Sequence, residues 1–166
     1  MKKYLPNLLT LINLTCGLMA IFFGLQNSNN LVLCSWLILI GILFDFLDGK
    51  LARILKTASE YGKQLDSFSD MVSFGIAPSV IVFQMIYKYD NNLAYIAFMI
   101  PIFSAIRLSK YNIDEAQGNV FTGLTTTATA LFFSSFPLIQ KFHSFTFTEK
   151  LLSNVNFLFI STILFS

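Results

Sequence analysis

Trp36-Leu37-Ile38-Leu39-Ile40-Gly41-Ile42-Leu43-Phe44-Asp45-Phe46-Leu47-Asp48-Gly49-Lys50-Leu51-Ala52-Arg53 is an apolar run that ends in two acids. Its counterpart, Gly62-Lys63-Gln64-Leu65-Asp66-Ser67-Phe68-Ser69-Asp70, carries two more acids and leads into the apolar run 71–83. On a helix Asp45 and Asp48 are three residues apart and share a face, and Asp66 and Asp70, four apart, do so more closely. Two such helices can point four carboxylates into one gap near the membrane boundary. Like charges so placed repel, and burial adds a desolvation cost. Bound divalent cations remove both penalties. A set of oxygen ligands suits a hard ion such as Mg²⁺ or Mn²⁺, and two ions close together can grip a phosphate or diphosphate from both sides. The plain alternative, helix-end acids paired with Lys50, Arg53, Lys56 and Lys63, explains charge balance but not the repeated acidic spacing.

The rest of the chain supports a membrane setting. Of 166 residues, 55% are hydrophobic and only 12% are charged, against about a quarter charged in a soluble domain. The apolar residues fall in six stretches, roughly 6–25, 31–47, 71–88, 92–108, 121–139 and 151–166. These predict an all-α, polytopic membrane protein with a six-transmembrane-helix core, one domain over 1–166. The first stretch follows Met1-Lys2-Lys3 without a small-residue cleavage site, so it reads as a retained span. Lysines and arginines concentrate before it and in the 48–66 link, which predicts both termini and that link on the cytoplasmic side of the inner membrane. No basic cluster interleaves with aromatics, so nucleic acid is not an expected partner. The 19 phenylalanines read as lipid contact and helix packing, Cys16 and Cys34 as packing residues, and His143 as an ordinary link residue.

Asn7, Thr10, Asn13 and Gly17 form a polar or small stripe on the first stretch. The stripe suits either interhelical hydrogen bonding or the wall of a nucleotide pocket. Gly17, Gly24 and Gly41 permit close helix contact. Ser67, Ser69 and Ser73 suit bonding to backbone carbonyls, and Pro78 and Pro101 suit kinks.

Asp45-x-x-Asp48-Gly49-x-x-Ala52-Arg53, eight residues, then Gly62-x-x-x-Asp66-x-x-x-Asp70 resembles the full signature of the CDP-alcohol phosphatidyltransferases. The resemblance implies a homodimeric membrane enzyme with a dinuclear Mg²⁺ or Mn²⁺ site open to the cytosol. It implies Asp45, Asp48 and Asp66 as metal ligands, with Asp70 beside the metals and acting as the base. Gly49, Ala52, Arg53 and Gly62 would lie against the CDP portion of the lipid, with Asn7, Thr10 and Asn13 matching a further pattern of some members.

Val72-Ser73-Phe74-Gly75-Ile76-Ala77-Pro78 and Arg107-Leu108-Ser109-Lys110-Tyr111-Asn112 resemble segments of bacterial and archaeal phosphatidylserine synthases. That implies transfer from CDP-diacylglycerol to L-serine, with Arg107, Lys110 and Asn112 at the acceptor. The stretch Gly123-Leu124-Thr125 departs from the Gly-Leu-Pro common in those synthases, and the chain ends where a core enzyme would. Alternative acceptors are glycerol 3-phosphate and inositol phosphate. An intramembrane prenyltransferase, a transporter or scaffold, and a non-catalytic relative are the other readings. The Gly-x-x-Ala-Arg element argues against the prenyltransferase.

Overall fold

The computed structural model describes residues 4–57, 59–116 and 125–142. The described residues are helical nearly throughout. Helix α1 is Leu5–Gln26, with Pro6 in its first turn, where the missing N–H removes no bond. A 3₁₀ turn, Ser28–Asn30, leads into α2, Leu31–Ile54. Helix α3 runs Glu60–Tyr87. Helix α4 begins as 3₁₀ over Leu93–Phe98 and continues as α-helix over Met99–Ala116. Helix α5 is Thr126–Phe142.

The segments Leu5–Gln26, Ser28–Ile54, Glu60–Tyr87 and Leu93–Ile113 are long and apolar enough to cross a membrane. The protein is therefore an all-α, multi-pass membrane protein, but the expected six spans are corrected to four among the described residues. The fifth apolar stretch forms α5, whose 17 residues include an internal Pro137. At 1.5 Å per residue these described residues rise about 26 Å, against a hydrocarbon core of ~30 Å. The sixth stretch, His143 and residues 117–124 lie outside the described residues.

Side chains are sorted as in a bilayer. Leu11, Leu18, Phe22, Trp36, Leu43 and Phe46 are exposed. The interior combines Ile38, Phe74, Ile81, Ile86, Ile100 and Phe133. Because lipid is as apolar as leucine, burial of such groups drives helix association weakly, and close approach through small residues matters more. The buried face of α1 is Pro6, Thr10, Asn13, Gly17, Ala20 and Gly24, at alternating spacings of four and three. This stripe packs against α2 and α3. A β-carbon on Gly41 of α2 would lie 2.9 Å from Asn13 Oδ1, and one on Gly24 would lie 2.8 Å from Val80 Cγ1. Three side chains of α3 donate to α1 carbonyls: Ser69 Oγ to Thr10 at 3.2 Å, Ser73 Oγ to Asn13 at 3.0 Å, and Gln84 Nε2 to Gly24 at 3.0 Å. Each replaces a hydrogen bond that lipid could not provide.

Helix α3 changes winding midway. Met71–Ile76 is a π-helical segment in which the Ala77 N–H reaches the Val72 carbonyl. Pro78 follows at once and lacks an N–H, so the ladder is already interrupted here. The wider turn re-aims the acid-bearing half, Glu60–Asp70, relative to the half that follows.

Candidate metal centre

The acids lie inside helices, not beyond them. Helix α2 continues past Asp48 to Ile54, and α3 starts at Glu60, ten residues before Asp70. The apolar runs understate both helices because each extends into a polar boundary zone, where its composition stops looking like a span.

The turn between them is tightly specified. Lys56 adopts φ 52°. Its N–H bonds the Arg53 carbonyl at 3.2 Å, and the Thr57 N–H bonds the Ala52 carbonyl at 3.0 Å. That pair of bonds is the Schellman ending, with lysine in the left-handed position glycine usually takes. Ser59 then caps α3 by accepting from the Gly62 N–H at 3.1 Å. The chain reverses within a few residues, so the acid-bearing turns of α2 and α3 face one another.

Ligand oxygens of Asp45, Asp48 and Asp66 all lie within 4.8 Å of one another. Asp45 also faces Asp70, and Asp70 faces Asp66 and Asp48. Asp70 Oδ1 is buried without a hydrogen-bond partner among the described residues. Asp48 is 5% exposed and accepts a 2.5 Å hydrogen bond from Thr10 Oγ1. Opposite ligands of a small octahedral cation are about 4.2 Å apart. Adjacent ligands of such an ion are about 3 Å apart, so the three oxygens, within 4.8 Å of one another, can converge on a shared ion by side-chain adjustment. The all-oxygen donor set suits a hard divalent cation. The triad can thus coordinate such an ion.

Around this cluster the structure sorts the other expected site residues. Gly49 and Ala52 are half-buried, and a β-carbon on Gly49 would meet, among the described residues, only Arg53 Nη2, at 3.9 Å. Arg53 is exposed, its Nε donating to the Gly49 carbonyl at 3.1 Å. A β-carbon on Gly62 would fall 3.2 Å from Asn7 Oδ1 and 3.3 Å from Ser59 Oγ, so this glycine allows α3 to start against α1. Asn7 lines a cavity of about 610 Å³ with Tyr4, Leu8, Leu11, Ser59, Tyr61 and Leu65. Thr10 joins the acids, while Asn13 is fully buried deeper in the bundle, with neither side-chain polar atom bonded among the described residues.

The residues expected at the acceptor divide. Arg107 is half-buried, and its Nη1 donates to Thr129 Oγ1 of α5 at 3.1 Å. Asn112 Nδ2 donates to Ser67 Oγ at 2.9 Å, and its carbonyl accepts from Lys63 Nζ at 3.5 Å. Lys110 is exposed. The sequence reading missed the roles of Lys63 and Ser67 as α4 contacts and of Tyr4 and Tyr61 as cavity walls. For Lys63 and Ser67 the available signal was their spacing around Asp66, three residues before it and one after.

The fold and its facing carboxylates define a multi-pass membrane protein with an acidic triad able to coordinate a cation. A family model described as CDP-alcohol phosphatidyltransferase matches residues 3–164, and the chain belongs to that family. It is 34% identical over 129 residues to a CDP-diacylglycerol–serine O-phosphatidyltransferase of Helicobacter pylori, covering 76% of this chain and 54% of the relative. The enzyme of the same name from Bacillus subtilis is 37% identical over 124 residues, 74% of this chain and 68% of the relative. An archaetidylserine synthase of Methanothermobacter thermautotrophicus is 34% identical over 165 residues, 96% of this chain and 68% of the relative. The chain spans about half the length of the Helicobacter relatives it matches.

Proposed function

We propose that this protein transfers a phosphatidyl group from CDP-diacylglycerol to L-serine, giving phosphatidylserine and CMP. The observation that carries the proposal is the convergence of Asp45, Asp48 and Asp66 from two helices, with Asp70 against them. Family membership supports the donor, and the names of the relatives support the acceptor.

Asp45, Asp48 and Asp66 would hold Mg²⁺ or Mn²⁺, with Asp70 completing a site for two ions. The bound cations would supply charge neutralisation at the diphosphate and at the departing CMP. Gly49 and Ala52 leave room for the CDP portion, with Gly62 and Asn7 beside it at the start of α3. Arg53, exposed at the end of α2, supplies a charge-assisted contact to phosphate. Asp70 accepts the proton of the serine hydroxyl as that oxygen attacks the lipid-linked phosphorus. One P–O bond forms as the bond to CMP breaks, in line, and CMP leaves with the electron pair. A carboxylate is a weak base toward an alcohol, so proton transfer must accompany attack. Arg107, Lys110 and Asn112 lie on α4 and would receive the serine carboxylate or lipid phosphate. We place the site at the cytoplasmic face of the inner membrane, in a homodimer, so that acyl chains stay in lipid while serine and CMP exchange with water.

The test is CMP release by purified protein in micelles containing CDP-diacylglycerol and Mn²⁺ or Mg²⁺, with Asp70→Asn as control. L-serine, glycerol 3-phosphate and inositol phosphate are compared. Serine-dependent release, lost in Asp70→Asn, is the expected result. Release with a different acceptor alone rejects the serine assignment, and no release from folded protein rejects the catalytic one.

A further inference from the structure

Thr10 lies on α1, which contributes no acid to the cluster, yet it touches both helices that do. Its hydroxyl is 2.5 Å from Asp48 Oδ2 on α2 and 3.1 Å from its own helix's Pro6 carbonyl. A hydroxyl has one proton, and the shorter, charge-assisted bond to the carboxylate is the stronger claim on it. On its other side the Thr10 carbonyl accepts from Ser69 Oγ of α3. Thr10, Asp48 and Ser69 are 4%, 5% and 0% exposed, so water does not compete for either bond.

Ser69 sits on the turn that presents Asp66 and Asp70. Drawing Ser69 to α1 sets the rotation of that turn, while the Thr10 hydroxyl sets the direction of the Asp48 carboxylate. One residue therefore ties together the two helices whose acids must share an ion.

We propose that Thr10 is a positioning residue for the metal centre, holding Asp48 by its side chain and the Asp66–Asp70 turn by its backbone. The proposal rests on the metal reading above and replaces a direct contact of the Thr10 hydroxyl with the nucleotide. Partners that orient metal ligands from behind govern affinity as well as activity.

The test is Mn²⁺ binding to the full chain in detergent without lipid substrate, read from the electron paramagnetic resonance signal of free Mn²⁺. Thr10→Val keeps the shape and removes the hydroxyl; the expected loss of affinity is about tenfold or more. Thr10→Ser restores the bond and should stay within about threefold of the parent by the same reasoning. Ser69→Ala leaves the Thr10–Asp48 bond intact and should also weaken binding. Circular dichroism and size exclusion verify folding. Should Thr10→Val not fold, Thr10→Ala and Ser69→Ala make the same comparison. Parent-like affinity in the hydroxyl-less variant overturns the role of the side chain, and in Ser69→Ala it overturns the role of the backbone. Equal weakening by serine and valine shows that the hydroxyl alone does not sustain the affinity, and also overturns the proposal. A parent that binds no Mn²⁺ overturns the metal centre itself, a result distinguishable from all of these.

Discussion

Gly17 of α1 and Ser73 of α3 approach so closely that a β-carbon on Gly17 would lie 2.7 Å from the Ser73 Cα. The obstacle is backbone, which cannot swing aside as a long side chain can. Gly17→Ala must therefore separate α1 from α3 and strain the bond from Ser73 Oγ to the Asn13 carbonyl. Overpacking of this kind costs about 1–3 kcal/mol. The expected outcome is a lower midpoint in detergent unfolding, with weaker Mn²⁺ binding because the acid-bearing half of α3 moves too. An unchanged midpoint would show that the helices are less tightly coupled than this contact requires.

The acids should separate by role. Asp66→Asn removes a charged ligand from the oxygen triad and should raise the Mn²⁺ concentration for half-maximal activity. Asp70→Asn should lower kcat by about 10²–10⁴, with a smaller change in metal dependence. Titrating Mn²⁺ in the CMP-release assay distinguishes them. Identical behaviour of the two variants would contradict a separate proton-accepting role for Asp70.

Metal removal makes a simpler prediction. Chelation with EDTA should abolish CMP release, and excess Mn²⁺ or Mg²⁺ should restore it without refolding. The oxygen donors Asp45, Asp48 and Asp66 favour such hard ions over soft ones. Activity that survives exhaustive chelation would sink the metal-assisted mechanism.

Arg107 and Lys110 should differ although both were expected at the acceptor. Arg107 is half-buried and hydrogen-bonded to Thr129, whereas Lys110 is exposed. Arg107→Gln should raise the KM for L-serine at least several-fold, and Lys110→Gln should change it much less. Equal KM effects would contradict the inward placement of Arg107 as the deciding difference.

The α2–α3 turn offers a test of stability. Lys56 occupies a left-handed conformation at φ 52°, which costs a side-chain-bearing residue roughly 1–2 kcal/mol. Lys56→Gly should leave stability unchanged or raise it, since relief of strain offsets the greater freedom of the unfolded chain. Ser59→Ala should lower it by about 1 kcal/mol through loss of the α3 cap. Unfolding midpoints in the same detergent measure both, and a destabilised Lys56→Gly would mean that the lysine side chain holds the turn.

Much of the site was legible because its chemistry is local in sequence. Asp45 with Asp48, and Asp66 with Asp70, share faces by helical period alone, and the short link brings the pairs together. The stripe on α1 was legible as a feature, and Thr10, Asn13 and Gly17 are buried in the bundle, but its period did not choose between helix packing and a pocket wall. The span count was not legible in the same way. Hydropathy marked residues 121–139 as a span, but the described helix there is 17 residues with Pro137 inside it. Composition reports apolarity and does not report where a helix starts or stops.

The sequence by itself determined a membrane-embedded helical chain with two acid pairs, each on one helix face, because hydropathy and helical period act on neighbours along the chain. Tertiary structure alone decided which groups meet across helices. It turned Thr10 to Asp48, Ser69 to the Thr10 carbonyl, Asn112 to Ser67 and Arg107 to Thr129. Those contacts depend on how far each helix is rotated about its axis and how closely glycines let it approach. Both quantities come from packing between segments distant in sequence, and no local pattern encodes them.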